Sequence, residues 1–483
     1  MTFLSPQFFC FFPVTALVYF LLPRRVRNIW LLLASWFFYL CAKPAYLALL
    51  LLAVVSTWVC GLLLEKQKPS ARRGALISCL LLLFALLFVF KYLNFTLALA
   101  GRALNAIGFD FASPALDLIL PVGISFYLFQ AAGYVVDVHR GKIAAERSFV
   151  TYALFVSFFP QLVSGPINRA GDLLPQFREE HPFDYDNLRV GLVRFLWGAF
   201  KKTVLADRLA VLVGAVFAAP GDYGALQLIG AAAAFSIQLY CDFSGYSDMA
   251  VGAARVMGFR LMENFRTPFF SRSIAEFWRR WHISLSSWFR DYLYIPLGGS
   301  RRGTARKWLN ILIVFAVSGL WHGAALTFIV WGLLNGLYQV VGGVTAPLRG
   351  RVRHALGLRD DGRVTSLLQI AVTFALFSLS MVFFKAGSLA NALEVLSGMV
   401  HGPLWAFRSM GLDRLELLAA LFGLLVLLLV DLRSLKRSME ADYLAVGRPV
   451  RWLILLLLLF SIVIFGSYGA GYDAQAFIYG FSF

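Results

Sequence analysis

Residues 308–345 read WLNILIVFAVSGLWHGAALTFIVWGLLNGLYQVVGGVT, two apolar runs of together about 38 residues that meet at one histidine, His322. A helix needs about 20 residues to cross a bilayer, so two crossings fit only if the turn between them is tight. Gly319 and Gly323 supply the small residues such a turn needs. Arg301, Arg302, Arg306 and Lys307 precede the first run and mark a cytoplasmic edge. His322 then lies about 15 residues in, roughly 22 Å at about 1.5 Å per residue, deep in the far leaflet. An ionisable group at that depth is a candidate for function. The structural alternative is a neutral imidazole that only hydrogen-bonds a neighbouring helix.

The rest of the chain has the same character. Of 483 residues, 60% are apolar and 14% charged, against about 45–50% and about 25% in soluble domains. The fold class is therefore all-α, a polytopic membrane protein. Disordered, collagen-like, disulfide-framework and nucleic-acid-binding classes are excluded together. Candidate spans are 8–22, 29–42, 45–64, 75–100, 118–137, 149–165, 191–217, 225–241, 308–322, 326–345, 365–385, 413–431 and 450–467. Some are short, so about 11–13 membrane-embedded helices are expected. No Lys or Arg precedes the first apolar run and PRRVRN follows it, which suits a first anchor better than a removable signal.

The formal net charge is +18. In this setting the surplus reads as basic cytoplasmic loops on an anionic leaflet. Loops 23–28, 65–74 and 139–148 hold Arg24, Arg25, Arg27, Lys66, Lys68, Arg72, Arg73, Arg140, Lys142 and Arg147. The alternate loops 43–44 and 101–117 hold only Lys43 and Arg102, and the tail 468–483 has no Lys or Arg. Both termini are thus expected outside. The crossings must then be even in number, and the three candidates between 149 and 241 must count as two. The five cysteines form no CxxC pair and read as small buried hydrophobes, not metal ligands.

Four segments carry candidate chemistry. His322 is the first. In 276–303, EFWRRWHISLSSWFRDYLYIPLGGSRRG, Phe277, Trp281, Leu285, Trp288, Tyr292 and Ile295 recur every three to four residues. That spacing predicts one amphipathic helix, read structurally as lying on anionic lipid. His282 sits beside its apolar stripe. Two buried imidazoles suit a base and an orienting partner, since a free imidazole titrates near pH 6.5. In CDFSGYSDMAVG, 241–252, Asp242 and Asp248 bracket an expected Ser/Gly turn and read as caps or as partners of Arg255 and Arg260, in preference to a cation site. In SFFPQLVSGPINR, 157–169, prolines and a glycine break an apolar run. At membrane depth such a break survives only where protein or a cavity satisfies the backbone. No nucleotide-binding or zinc-protease motif stands in a fitting context.

Several stretches resemble the membrane-bound O-acyltransferase (MBOAT) family, in its bacterial alginate O-acetylation branch. They are ILPVGISFYLFQAAGYVVDVHRG (119–141), SFFPQLVSGPINR, QLYCDFSGYSDMAVG (238–252), ENFRTPFFSRSIAEFWRRWHISLSSWFRDYLYIPLGGSRRG (263–303) and SGLWHGAALTFIVWG (318–332). The resemblance implies one membrane domain over 1–483, with a catalytic core at about 119–345 and C-terminal helices at about 365–467. It implies a ring of helices around a thin core pierced by a tunnel. It makes His322 the catalytic residue and His282 its partner. It implies a cytoplasmic thioester donor such as acetyl-CoA, with no bound cofactor or metal. The acceptor is a hydroxyl on an exported polysaccharide, often reached through a separate periplasmic acetyltransferase, in the bacterial inner membrane. Arg255, Arg260, Arg272, Arg301 and Arg302 are the candidates for the coenzyme A phosphates. The alternatives are D-alanyl or other acyl transfer to a cell-wall polymer, and a non-catalytic channel or flippase subunit.

Overall fold

A computed structural model describes residues 1–467 apart from 67, 111, 113, 115 and 361. The tail 468–483, whose lack of basic residues entered the topology argument, lies outside the described residues. The described residues form helices and connecting segments with no strand. Seven helices are long and apolar enough to cross a membrane: Ala45–Lys66, Ala71–Ala106, Ala225–Val256, Leu326–Val344, Arg363–Lys385, Arg414–Ser434 and Arg448–Phe465. Their surfaces invert the soluble pattern. Along Arg414–Ser434, Leu415, Leu418, Leu421, Leu425 and Leu429 are exposed while Ala419, Ala420 and Gly423 face protein. Leucine outside and small residues inside is the arrangement of a helix solvated by lipid tails. The chain is a multi-pass membrane protein.

Other expected spans form helices of lesser length, among them Pro6–Leu21, Arg24–Leu40 and Ile124–His139. The 149–165 candidate is two pieces, Phe149–Ser157 and Phe159–Leu162, each too short to cross. Of the three candidates between 149 and 241, only the last lies in a helix long and apolar enough to cross, Ala225–Val256. Cys60, Cys79 and Cys241 are buried as expected, but Cys10 and Cys41 are exposed.

The chain divides into two compact units. The first comprises Met1–Phe195 with Met249–Met262. Its centre is a cluster of phenylalanines in which Phe8 stacks on Phe195 at 5.9 Å and Phe11 meets Phe159 edge-on at 5.4 Å. The proline-broken segment threads this unit, and buried amides satisfy its backbone. Gln130 and Gln161 each donate to the Phe155 carbonyl at 2.6 Å. Asn168 donates to Gln161 at 2.7 Å and accepts from the Met262 amide at 2.8 Å. The expectation that protein would satisfy this break holds.

The second unit comprises Leu196–Asp248 and the described residues from Glu263 onward. Thr304–His322 and Leu326–Val344 form a hairpin joined by Gly323, Ala324 and Ala325. The tight turn expected at His322 is present. Gly319 and Gly332 let the two backbones touch. A Cβ on Gly319 would overlap the Phe328 carbonyl, and one on Gly332 the Phe315 carbonyl. Close glycine-mediated approach is how membrane helices gain packing where lipid offers no hydrophobic drive. Replacing Gly319 with Leu should therefore splay the hairpin. The expected result is a loss of monodisperse, detergent-extracted protein, with Gly342→Leu, which has open space around it, extracted like the parent.

Candidate active site

The segment 274–294 is not the single amphipathic helix its spacing predicts. It consists of two short helices, Ile274–Arg280 and Ile283–Phe289, followed by a π turn over Arg290–Tyr294. The break falls at His282, whose φ of 45° is left-handed. A side chain other than glycine pays on the order of 1–2 kcal/mol there, so something must hold it. The preceding segment, 264–266, does so. The Arg266 amide donates to the Arg280 carbonyl at 2.9 Å, and the Ile283 amide donates to the Asn264 carbonyl at 2.9 Å. Helical periodicity cannot report such pairing, because it depends on a chain segment some 18 residues upstream. Nor is most of the stripe open to lipid, although Ile295 at its end is exposed. Phe277, Trp281, Leu285 and Trp288 are buried within the protein, and Phe277 packs on Phe377 at 4.1 Å between ring centroids.

His282 is 1% exposed. Its Nδ1 lies 3.1 Å from Asn264 Oδ1. The Phe243 ring meets it edge-on at 4.6 Å. His322 ends the first helix of the hairpin and is 4% exposed. It is boxed by Trp321, Trp331 and Phe384, with centroids 4.9–5.4 Å away. The two imidazoles, 40 positions apart in sequence, come together with ring centroids 6.5 Å apart.

A cavity of about 540 Å³ opens beside His282. Its walls are mostly apolar, with Ser286, Ser318 and Gln339 among the polar residues and Arg279 and Arg290 exposed on its lining. Trp278 and Gln339 line it, and each keeps a buried N–H donor with no partner among the described residues. The five arginines singled out from sequence lie elsewhere. Arg255 and Arg260 belong to the first unit, and Arg272, Arg301 and Arg302 to the second without lining the cavity. Arg279 and Arg290 were legible as basic residues in the Trp-rich block. Only the fold shows that they share a cavity with His282.

The wall behind His282 is the helix Ala225–Val256. The Ser/Gly turn expected at 241–252 is absent, and the helix runs straight through it. Gly245 is there for contact, since a Cβ would overlap the Gly198 carbonyl. The acids pair as expected, but with lysines. Lys202 bridges Asp207 at 2.8 Å and Asp242 at 2.6 Å, and Lys201 meets Asp248 at 2.6 Å and Ser244 at 2.7 Å. On the same helix Tyr240 donates to Asp431 at 3.0 Å. These buried pairs fix the rotation of the helix that carries Phe243 and Ser247. Among the described residues no group of three or more His, Cys, Asp or Glu could hold a metal ion.

The geometry thus defines a multi-pass helical protein with two buried imidazoles close together, one of which, His282, lines a cavity. Residues 143–384 match the model of MBOAT, the membrane-bound O-acyltransferase family. The chain belongs to this family. It is 39% identical over 442 residues to a protein named "Probable alginate O-acetylase AlgI" from Pseudomonas putida, covering 89% of this chain and 87% of that one. It is 36% identical over 429 residues to the peptidoglycan O-acetyltransferase of Helicobacter pylori, covering 82% and 79%. It is 28% identical over 275 residues to the teichoic acid D-alanyltransferase of Bacillus subtilis, covering 54% and 67%. The chain is a membrane acyltransferase.

The buried ion pairs generate a stability prediction. Lys202→Met strands Asp207 and Asp242 without their shared cation. Removing one partner of a buried pair costs about 3–5 kcal/mol. The thermal unfolding midpoint of the detergent-solubilised variant should fall clearly below the parent's, whereas Arg408→Met, at a pair with Asp222 in which both side chains are exposed, should leave it in place.

Proposed function

We propose that this chain moves an acetyl group from a cytoplasmic thioester to a hydroxyl acceptor on the far side of the bacterial inner membrane, for O-acetylation of an exported polysaccharide. The observation that carries this reading is the juxtaposition of His282 and His322, both buried, with His282 on a cavity that also presents arginines. The acetyl assignment draws on the relatives named as O-acetylases, whose likeness extends over most of this chain.

His322 removes the proton of the acceptor hydroxyl as its oxygen attacks the thioester carbonyl. His282 stands beside it as the orienting group. The tetrahedral intermediate collapses, the C–S bond breaks, and the proton held by His322 passes to the departing thiolate. General-base assistance of this kind contributes about 10²–10⁴ in rate. Because the donor enters from one side and the alcohol from the other, the reaction itself carries the acyl group across. Charged coenzyme A need not move. The phosphates of the donor are met by Arg279 and Arg290, which line the cavity, in place of the five arginines chosen from sequence. The unpartnered N–H donors of Trp278 and Gln339 suit amide or thioester carbonyls along the donor. A separate periplasmic acetyltransferase receives the acetyl group where the acceptor is a protein serine. Both chain termini face outside in this reading.

Cells carrying His322→Ala should lose surface-glycan O-acetyl groups, read by mass spectrometry, while the variant still accumulates in the membrane. Glycan acetylated as in the parent would refute the catalytic reading and favour a channel or flippase role. D-alanyl in place of acetyl on the polymer, seen in the parent and lost in the variant, would keep the chemistry and change the acyl group. Separately, Arg279→Ala with Arg290→Ala should raise KM for acetyl-coenzyme A by about tenfold with kcat little changed, as expected for lost phosphate pairing.

A further inference from the structure

Asn264 is 2% exposed and sits at the centre of a polar knot. Its Oδ1 accepts from Ser284 Oγ at 2.9 Å and faces the Ser284 backbone amide at 3.4 Å. Its Nδ2 donates to Ser247 Oγ at 3.1 Å, and its own carbonyl accepts from the Ile283 amide. A backbone N–H only donates, so the atom it faces must be the amide oxygen. That settles which way the Asn264 amide points. His282 Nδ1 lies 3.1 Å from the same oxygen. Two acceptors cannot bond, so Nδ1 must carry the proton. In the neutral ring, Nε2 is then a lone pair.

We propose that Asn264 is a positioning residue, which holds His282 as the Nδ1–H tautomer so that Nε2 receives a hydrogen bond relayed from His322. The proposal rests on the acyltransfer reading above, and decides what His282 does within it. A neutral His282 held this way has no proton to give an oxyanion. It can instead accept from the imidazolium that His322 becomes when it takes the hydroxyl proton. A centroid separation of 6.5 Å exceeds direct N–H···N contact and leaves room for one bridging oxygen, with a hydrogen bond of about 2.8 Å on each side. The order is then His322, one water, His282, Asn264, each donating to the next. A third group that fixes the tautomer of an imidazole and steadies its charged form is a recurring arrangement in acyl transfer.

The same knot explains the backbone. Asn264 grips the residues on the C-terminal side of His282 through its carbonyl and Oδ1. The left-handed φ of His282 aims the ring while Ser247 ties the amide to the helix Ala225–Val256. Ser247 in turn is placed by the buried lysine–aspartate pairs of that helix.

The test measures thiol release from acetyl-coenzyme A by the full chain in membranes, with a polysaccharide acceptor, as a function of pH. Asn264→Leu, close in size but without an acceptor, should lower kcat by about 10- to 100-fold, the range for groups that orient a working histidine, with KM for acetyl-coenzyme A within about threefold. Asn264→Asp keeps the acceptor and adds a negative charge, which favours the protonated ring. Because protonated His282 no longer accepts, loss of activity on acidification should begin at least about one pH unit higher than in the parent. Parental kcat in Asn264→Leu, or an Asn264→Asp variant whose acid limb does not move, overturns the proposal. If Asn264→Leu does not accumulate, the limb of Asn264→Asp decides alone. His322→Ala is run alongside. Transfer by that variant sinks the functional reading, whereas its inactivity beside a fully active Asn264→Leu sinks only the positioning role.

Discussion

A polar group cut off from water must find its partner inside the protein, and in lipid there is no other recourse. That single requirement accounts for most of what is irregular in this chain. Where the apolar run at 157–169 breaks, Gln130, Gln161 and Asn168 are drawn in to meet the freed backbone. Where Asp242 and Asp248 enter a long helix, Lys201 and Lys202 are buried opposite them. Where the chain kinks at His282, Asn264 supplies both a carbonyl and a side-chain oxygen to the groups left over.

These solutions are linked. The lysine–aspartate pairs set the rotation of the helix Ala225–Val256. That rotation places Phe243 against the His282 ring and Ser247 against Asn264. Asn264 then holds the imidazole. On the opposite flank, a glycine seam between Thr304–His322 and Leu326–Val344 brings Trp331 against the His322 ring. Two independent structural devices, one ionic and one steric, thus converge on two rings 6.5 Å apart. Neither device touches a substrate, yet a shift of either would separate the pair.

How much of this was legible in the sequence follows from the range of each interaction. The helical class and the hairpin turn are local properties of hydropathy and glycine placement. They could be read directly. The break at His282 could not, because the spacing of Phe277, Trp281, Leu285 and Trp288 does not report where one helix ends and another begins. The partner that forces the break lies upstream, in a stretch chosen by tertiary pairing. The glycine and serines of 241–252 misled in the opposite direction. In a soluble chain they signal a turn, but between packed membrane helices they signal close contact. Asn264 and the cavity arginines Arg279 and Arg290 carried no local signal beyond residue type.

The strained backbone at His282 bears on what the segment is for. A left-handed histidine is costly, and two short helices joined by a kink bury less regular hydrogen bonding than one continuous helix would. A purely structural segment of this composition gains nothing from that arrangement. A continuous helix would keep the aromatic stripe on one face, and the ring of His282 would follow the helical rotation between Trp281 and Ile283. The kink releases the ring from that rotation and lets Asn264 set its angle and its proton. Strain that is over-determined by its surroundings and coincides with a buried titratable ring on a cavity is the expected mark of a working site.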